Sequence, residues 1–217
     1  MIIDMHVHEQ THSSDSRLEL GRIVARAKAM GLDGVCITDH ESNALAATAR
    51  RVSRETGFPL FVGAEILTWQ GDLLVYGLDR IPSGMLDAEE LVSLVNRAGG
   101  AAVSAHPFRQ NNRGMGKTIL DLEGLAGVEV LNGSTPYQHN RMAMKTARQA
   151  DCALLGGSDA HHLDQLGRYA TRFGRTIRSM EDLICAIREG DCDPVIYHGG
   201  HYQPMTWDRP LEWQAVS

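Results

Sequence analysis

Short apolar runs alternate with amphipathic stretches along the whole chain. Residues 2–8 form an apolar run broken only by Asp4, His6 and His8, and they predict a strand. Over residues 18–30, Leu20, Ile23, Val24 and Ala27 recur at the spacing of one helix face, and Gly31 supplies a stop. A strand over 34–38 follows, then a helix capped by Ser42 or Asn43 and running to about Glu55, which Gly57-Phe58-Pro59 breaks. Residues 60–66 predict the next strand, and Gly71-Asp72 mark a turn into another over 73–78. Beyond it come a helix over 89–98 closed by Gly99-Gly100, a strand over 101–105 and a polar, glycine-containing loop over 109–118. Strands over 128–131 and 153–156 and helices over 140–150 and 180–189 complete the pattern, and no element is assigned after Tyr197. Strands alternating with helices in this way predict repeated β-α units around a mostly parallel sheet or barrel.

A chain of 217 residues can bury one substantial core, so a single domain over 1–217 is expected. With 43% hydrophobic and 22% charged residues, the composition is that of a globular protein. A net charge of -6 excludes general attraction to nucleic acid or an anionic membrane but leaves room for a small phosphorylated ligand. Cys36, Cys152, Cys185 and Cys192 form no C-x-x-C pair and read as reduced thiols, which suits the cytoplasm. The first residues lack a basic segment before a long apolar one, and no stretch reaches the length of a membrane span, so neither export nor membrane insertion is expected.

Ten histidines change this picture. Asp4-x-His6-x-His8 stands at a strand end, where side chains two apart share a face and can meet one metal. Asp39-His40, Glu65, His106, and Asp159 with His161 each follow a predicted strand. In a parallel β-α arrangement the carboxyl ends of the strands open onto one face, so these residues are expected to converge. Mixed imidazole and carboxylate donors suit borderline divalent ions and do not decide among zinc, manganese and iron. Asp4 and Asp39 are expected to orient metal-bound histidines. His12, His139, His162, His198 and His201 read as ordinary histidines, with His12 and His139 the first exceptions to consider. Gly116-Lys117-Thr118 is not a P-loop, because Asn111 stands where that motif needs glycine. Met142 and Met144, with Ala143 and Ala147, read as helix packing.

Together these motifs resemble the polymerase and histidinol phosphatase (PHP) superfamily of metal-dependent phosphoesterases over nearly the whole chain. The opening D-x-H-x-H and Ser-Asp elements are Asp4 to His8 and Ser13-Ser14-Asp15; the later motifs are Ile37-Thr38-Asp39-His40 and Gly157-Ser158-Asp159-Ala160-His161. The resemblance implies an α/β fold, a distorted seven-stranded β-α barrel, with two or three divalent ions (zinc, manganese or iron) at its carboxyl-end face. It implies that His6, His8, Glu65 and Asp159 surround one ion, that Glu65 bridges to a second also held by His106, and that Asp15, His40 and His161 hold a third. Fuller family patterns carry a further His or Cys, which residues 73–79 and 128–132 do not supply. The second position is therefore expected to rely on water, substrate, Asn132 or Glu129. The implied activity is hydrolysis of phosphomonoesters of a small metabolite or nucleotide by a metal-activated hydroxide, with Glu65, Asp159 and His161 central to catalysis. Arg109, Arg113 and Lys117, in the loop after His106, are the candidate phosphate contacts, Arg109 first. An amidohydrolase-like enzyme and a non-catalytic metal-binding regulatory module are the alternatives; Ser14-Asp15 and Asp159-Ala160-His161 favour the phosphatase.

Overall fold

A computed structural model describes residues 1–207, and the last ten residues of the chain lie outside that description. The first β-α repeats run β1 (Ile2–Val7), α1 (Leu20–Met30), β2 (Gly34–Ile37), α2 (Ala46–Thr56) and β3 (Leu60–Val62). Next come β4 (Ala64–Leu67), β5 (Asp72–Tyr76), α3 (Ala88–Arg97), β6 (Ala101–Ser104), β7 (Gly127–Asn132), α4 (Tyr137–Gln149) and β8 (Ala153–Gly157). The chain closes with β9 (Tyr169–Phe173), α5 (Met180–Arg188), β10 (Cys192–His198) and β11 (His201–Pro204). Helix α1 buries Leu20, Ile23, Val24 and Ala27 as its periodicity predicts, and Gly31 ends it in the left-handed region at φ 78°. Helix α2 starts later than expected and takes no side-chain cap, because its N-cap position is Leu45, which has no polar side chain; the Asn43 amide donates to Leu78 O at 2.8 Å.

The strands do not close into one seven-stranded ring. Among the described residues they form a six-stranded sheet, in the order β11-β10-β9-β1-β2-β3, and a five-stranded sheet, β4-β5-β6-β7-β8. The expected strand over 60–66 divides at Gly63 and passes from one sheet to the other. A Cβ at Gly63 would lie 2.5 Å from Val75 O, so only glycine lets β5 approach there. At the other edge the sheets meet through Asp159 N to His6 O (2.8 Å) and His8 N to Ala160 O (3.1 Å). Strand β5 is antiparallel to both neighbours, with Asp72 opposite Leu67 and Leu73 opposite Ser104. Its first residue therefore lies beside the carboxyl ends of β4 and β6.

Between the sheets Ile3, Met5, Cys36, Leu74, Tyr76, Val103 and Leu155 form one core, which Leu183, Ile184 and Ile187 of α5 join. Each such side chain contributes roughly 1.5–3 kcal/mol of transfer free energy. Helices α1 and α2 pack over Val7, Val35 and Ile37, while α3 and α4 cover Ile66, Val75, Val128 and Val130. Ala143, Met144 and Ala147 belong to that packing, whereas Met142 is 46% exposed and does not. All four cysteines are free thiols. No helix among the described residues is long and apolar enough to cross a membrane.

Candidate metal centre

The register between β1 and β2 shifts between Asp4 and Val7. Ile3 and Met5 point into the core between the sheets, yet Val7 packs with the outer helices, so the strand changes face at this irregularity. His6 and His8 emerge from it fully buried, with their Nε2 atoms 3.0 Å apart. His6 Nδ1 lies 3.0 Å from Glu129 Oε1, which accepts its proton. His8 Nδ1 lies 3.3 Å from Ser13 Oγ, whose hydroxyl donates to Asp39 Oδ1 at 2.9 Å, so Ser13 accepts from His8. With both Nδ1 atoms engaged, both Nε2 atoms aim lone pairs at one space when the rings are neutral.

Two carboxylate oxygens face the same space. Glu65 Oε2 stands 3.6 Å from His6 Nε2 and 3.4 Å from His8 Nε2, and Asp159 Oδ1 stands 3.4 and 3.3 Å from the same atoms. Four electron-rich atoms this close repel one another unless a proton or a cation sits among them. Burial opposes charge on His6, but Glu129, Asp159 and Glu65 outweigh it and raise its pKa well above the usual value. Burial lowers His8 to about 4. Burial opposes ionisation of Glu65 and Asp159 too, yet His6 and their other cationic and hydrogen-bonding neighbours hold both well below the usual carboxylate range.

Glu65 reaches further. Its Oε1 lies 2.8 Å from His106 Nε2, and Asp72 Oδ2 lies 3.6 Å from the same nitrogen. His40 Nδ1 approaches Glu65 Oε2 to 2.9 Å without hydrogen-bond alignment, and both atoms are buried without a hydrogen-bond partner, as are Asp72 Oδ1 and His106 Nδ1. On the outer side, Asp15 Oδ2 lies 3.2 Å from both His40 Nε2 and His161 Nε2. The donors fall into four overlapping groups able to hold an ion, namely His6-His8-Glu65, His6-His106-Asp159, Glu65-Asp72-His106 and His8-His40-His161. The donor set and its unpartnered buried atoms thus fit divalent ions.

The backbone is strained where two of these residues sit. His106 and Asp159 have φ 27° and 53°, a region costing side-chain-bearing residues about 1–3 kcal/mol each. His106 N is held by Glu129 Oε2 at 2.9 Å, and Asp159 N by His6 O at 2.8 Å.

Asp4 touches no imidazole ring. It accepts from Ser158 N (2.8 Å) and Gly167 N (3.0 Å), tying β1 to the segment that carries Asp159 and His161, and burial raises it to about 6. The residue against His6 is Glu129, and Asn132 braces it, donating to Glu129 Oε2 and to Asp159 Oδ2. Among the His, Cys, Asp and Glu donors, Asp72 and not Glu129 groups with Glu65 and His106, although the sequence shows it only as part of a turn. Arg109 pairs with Asp159 Oδ2 and donates to Asn132 Oδ1 at 2.8 Å, while Arg113 donates to Asp72 Oδ2 at 2.6 Å. Both arginines line a cleft of about 350 Å³ with Asp15, His40, His161 and Gln165. Lys117 is exposed, outside that lining, on the short 3-10 helix Gly116–Leu120. His12 is half-buried and in none of the four groups, His162 lines the cleft, and His139 on α4 has a buried Nδ1 without a hydrogen-bond partner.

An α/β fold that gathers imidazoles and carboxylates at its strand ends, with arginines above them, belongs to the metal-dependent hydrolase class. The chain is a member of the PHP family: a model described as PHP domain matches residues 4–100, and one described as PHP-associated matches residues 138–192. An uncharacterised protein of Methanocaldococcus jannaschii is 32% identical over 142 residues, 61% of this chain and 82% of its own length. A Bifidobacterium adolescentis structure assigned as a metal-dependent phosphoesterase superposes with TM-score 0.63 at 22% identity, covering 74% of this chain and 87% of the other. A lesion-specific endonuclease of Pyrococcus furiosus superposes with TM-score 0.63 at 19% identity, over 87% of this chain and 56% of its own. These two likenesses establish the fold.

Proposed function

We propose that the chain hydrolyses phosphomonoesters of a small metabolite or nucleotide. The observation that carries this reading is the convergence of His6 Nε2, His8 Nε2, Glu65 Oε2 and Asp159 Oδ1 on one space beneath two arginines. In this reading those four residues hold one ion, Glu65 and His106 share a second, and Asp15, His40 and His161 hold a third. When bound there, divalent ions would supply Lewis acidity, lowering the pKa of a water and offsetting charge on a phosphoryl oxygen. Arg109 and Arg113 bind the remaining phosphoryl oxygens, guanidinium being matched to that geometry. Glu65 and Asp159 stay ionised for the ions, Glu129 and Ser13 fix the two imidazole tautomers, and His161 acts at the outer edge of the cleft. Because both sheets contribute donors, the residues work as one functional unit.

The net charge of -6 and a cleft of about 350 Å³ favour a small substrate over a nucleic acid. The test is a panel of phosphomonoesters, simple amides, lactones and a damaged DNA duplex, assayed with manganese or zinc. Turnover of phosphomonoesters is expected. Amide turnover with silent phosphoesters would replace this reading with the amidohydrolase one, and bound metal with no turnover would leave a regulatory module.

Two further outcomes follow from the first position. Glu129→Gln, which removes the charge holding His6, is expected to weaken metal affinity about 10–100-fold in a competitive chelator titration; unaltered affinity would refute that role. His6 carries a proton near neutral pH because its pKa is raised, and an ion on Nε2 must displace that proton. Affinity should therefore fall up to about tenfold per pH unit below neutrality, with about one proton released per ion in calorimetry across buffers of different ionisation enthalpy. Binding without proton release would show that His6 is already neutral.

A further inference from the structure

The second position shows two donors, Glu65 and His106, and the further His or Cys of the fuller family pattern is missing from residues 73–79 and 128–132. We infer that Asp72 is the ligand that completes this position, and that Arg113 is the residue that positions it. This rests on reading the cluster as a metal centre, and not on the choice of phosphoester substrate.

The topology brings Asp72 there. His106 follows the carboxyl end of β6, but β5 runs opposite to both β4 and β6, so the residue of β5 that reaches the same face is its first. Ala105 N donates to Asp72 O at 3.1 Å, which sets Asp72 alongside the residue before His106. The side chain is fully buried, Oδ2 lies 3.6 Å from His106 Nε2, and Oδ1 has no hydrogen-bond partner. A buried carboxylate oxygen without a partner costs several kcal/mol, so its surroundings are arranged for a group it can bind. Glu65, Asp72 and His106 each offer a donor atom, all within 4.8 Å of one another.

Arg113 accounts for the remaining oxygen. Its Nε donates to Asp72 Oδ2 at 2.6 Å, and Asp72 N donates to Arg113 O at 2.9 Å, so the loop after His106 grips Asp72 by side chain and backbone. Gly71 permits this contact: a Cβ there would lie 2.6 Å from Met115 N, and its φ is 142°. With two carboxylates and one imidazole, the second position is richer in oxygen than the first and should favour manganese over zinc more strongly.

The test uses the full chain, stripped of metal and reloaded with Mn²⁺ or Zn²⁺, read by bound-metal analysis and by electron paramagnetic resonance of the Mn²⁺ form. The wild type should give a spin-coupled pair through the shared Glu65. Asp72→Asn should lose about one ion, leaving an uncoupled spectrum, while the ion kept at the first position shows that the fold survives. Asp72→His should keep the second ion and shift its preference toward Zn²⁺. Arg113→Ala should weaken only the second ion, about 10–100-fold, with partial recovery in Arg113→Lys. A coupled spectrum and full metal in Asp72→Asn, or loss of the second ion in Asn132→Ala instead, overturns the inference and leaves the centre standing. A wild type that binds fewer than two ions overturns both.

Discussion

Glu65→Gln is expected to abolish stable metal loading and to reduce phosphomonoester turnover about a hundredfold to a thousandfold. Glu65 stands against His6, His8, His40 and His106 at 3.6, 3.4, 2.9 and 2.8 Å, so one substitution removes a donor from both the His6-His8-Glu65 and the Glu65-Asp72-His106 groups. The magnitude follows from several kcal/mol of metal-derived charge stabilisation, at about 1.36 kcal/mol per tenfold in rate. Glutamine preserves the shape, and it relieves the burial cost of a carboxylate whose pKa is held low by the charge on His6 and by hydrogen-bonding histidines. Circular dichroism should therefore report an intact fold. Metal analysis beside a phosphatase assay decides the matter: unchanged occupancy and turnover in Glu65→Gln would falsify the placement of the centre.

The second large effect is expected at Arg109. Removing it in Arg109→Ala should lower kcat/KM for a phosphomonoester about 10–150-fold, the equivalent of about 1.5–3 kcal/mol for a charge-assisted hydrogen bond. The bound metal should remain. Arg109 pairs with Asp159 Oδ2, the oxygen turned away from the histidines, while Oδ1 faces His6 and His8. Asn132 Nδ2 still donates to Oδ2 at 3.3 Å, so Asp159 keeps one brace in the variant. Partial recovery in Arg109→Lys would mark a charge contact with substrate. Loss of metal together with turnover would instead make Arg109 a support for Asp159.

Most helices and the inner strands were legible because their signals are local. The period of residues 18–30 names the buried face of α1, and Gly31 names its end. The last three strands were not. Strand β10 contains Pro194, which cannot donate to a ladder, while β9 finds its partners β1 and β10, and β11 its partner β10, only in the assembled first sheet. The division of residues 60–66 at Gly63 was hidden for a similar reason, since the close approach of Val75 O belongs to a distant strand.

The site divides along the same line. His6, His8, His40, Glu65, His106, Asp159 and His161 could be picked out because imidazoles and carboxylates at or just after the ends of predicted strands are recognisable from spacing, and the structure brings them together. Asp72 and Glu129 escaped that rule. Asp72 is the first residue of its strand, and it reaches the others only because β5 is antiparallel. Glu129 sits within β7 and meets His6 from a position 123 residues away along the chain. The sequence by itself determined the family, the β-α rhythm and most of the donor residues, because these depend on residue type at short range. Only the tertiary structure decided strand direction, the two-sheet arrangement and which carboxylates face which histidines, because those depend on backbone pairing between segments far apart in the chain.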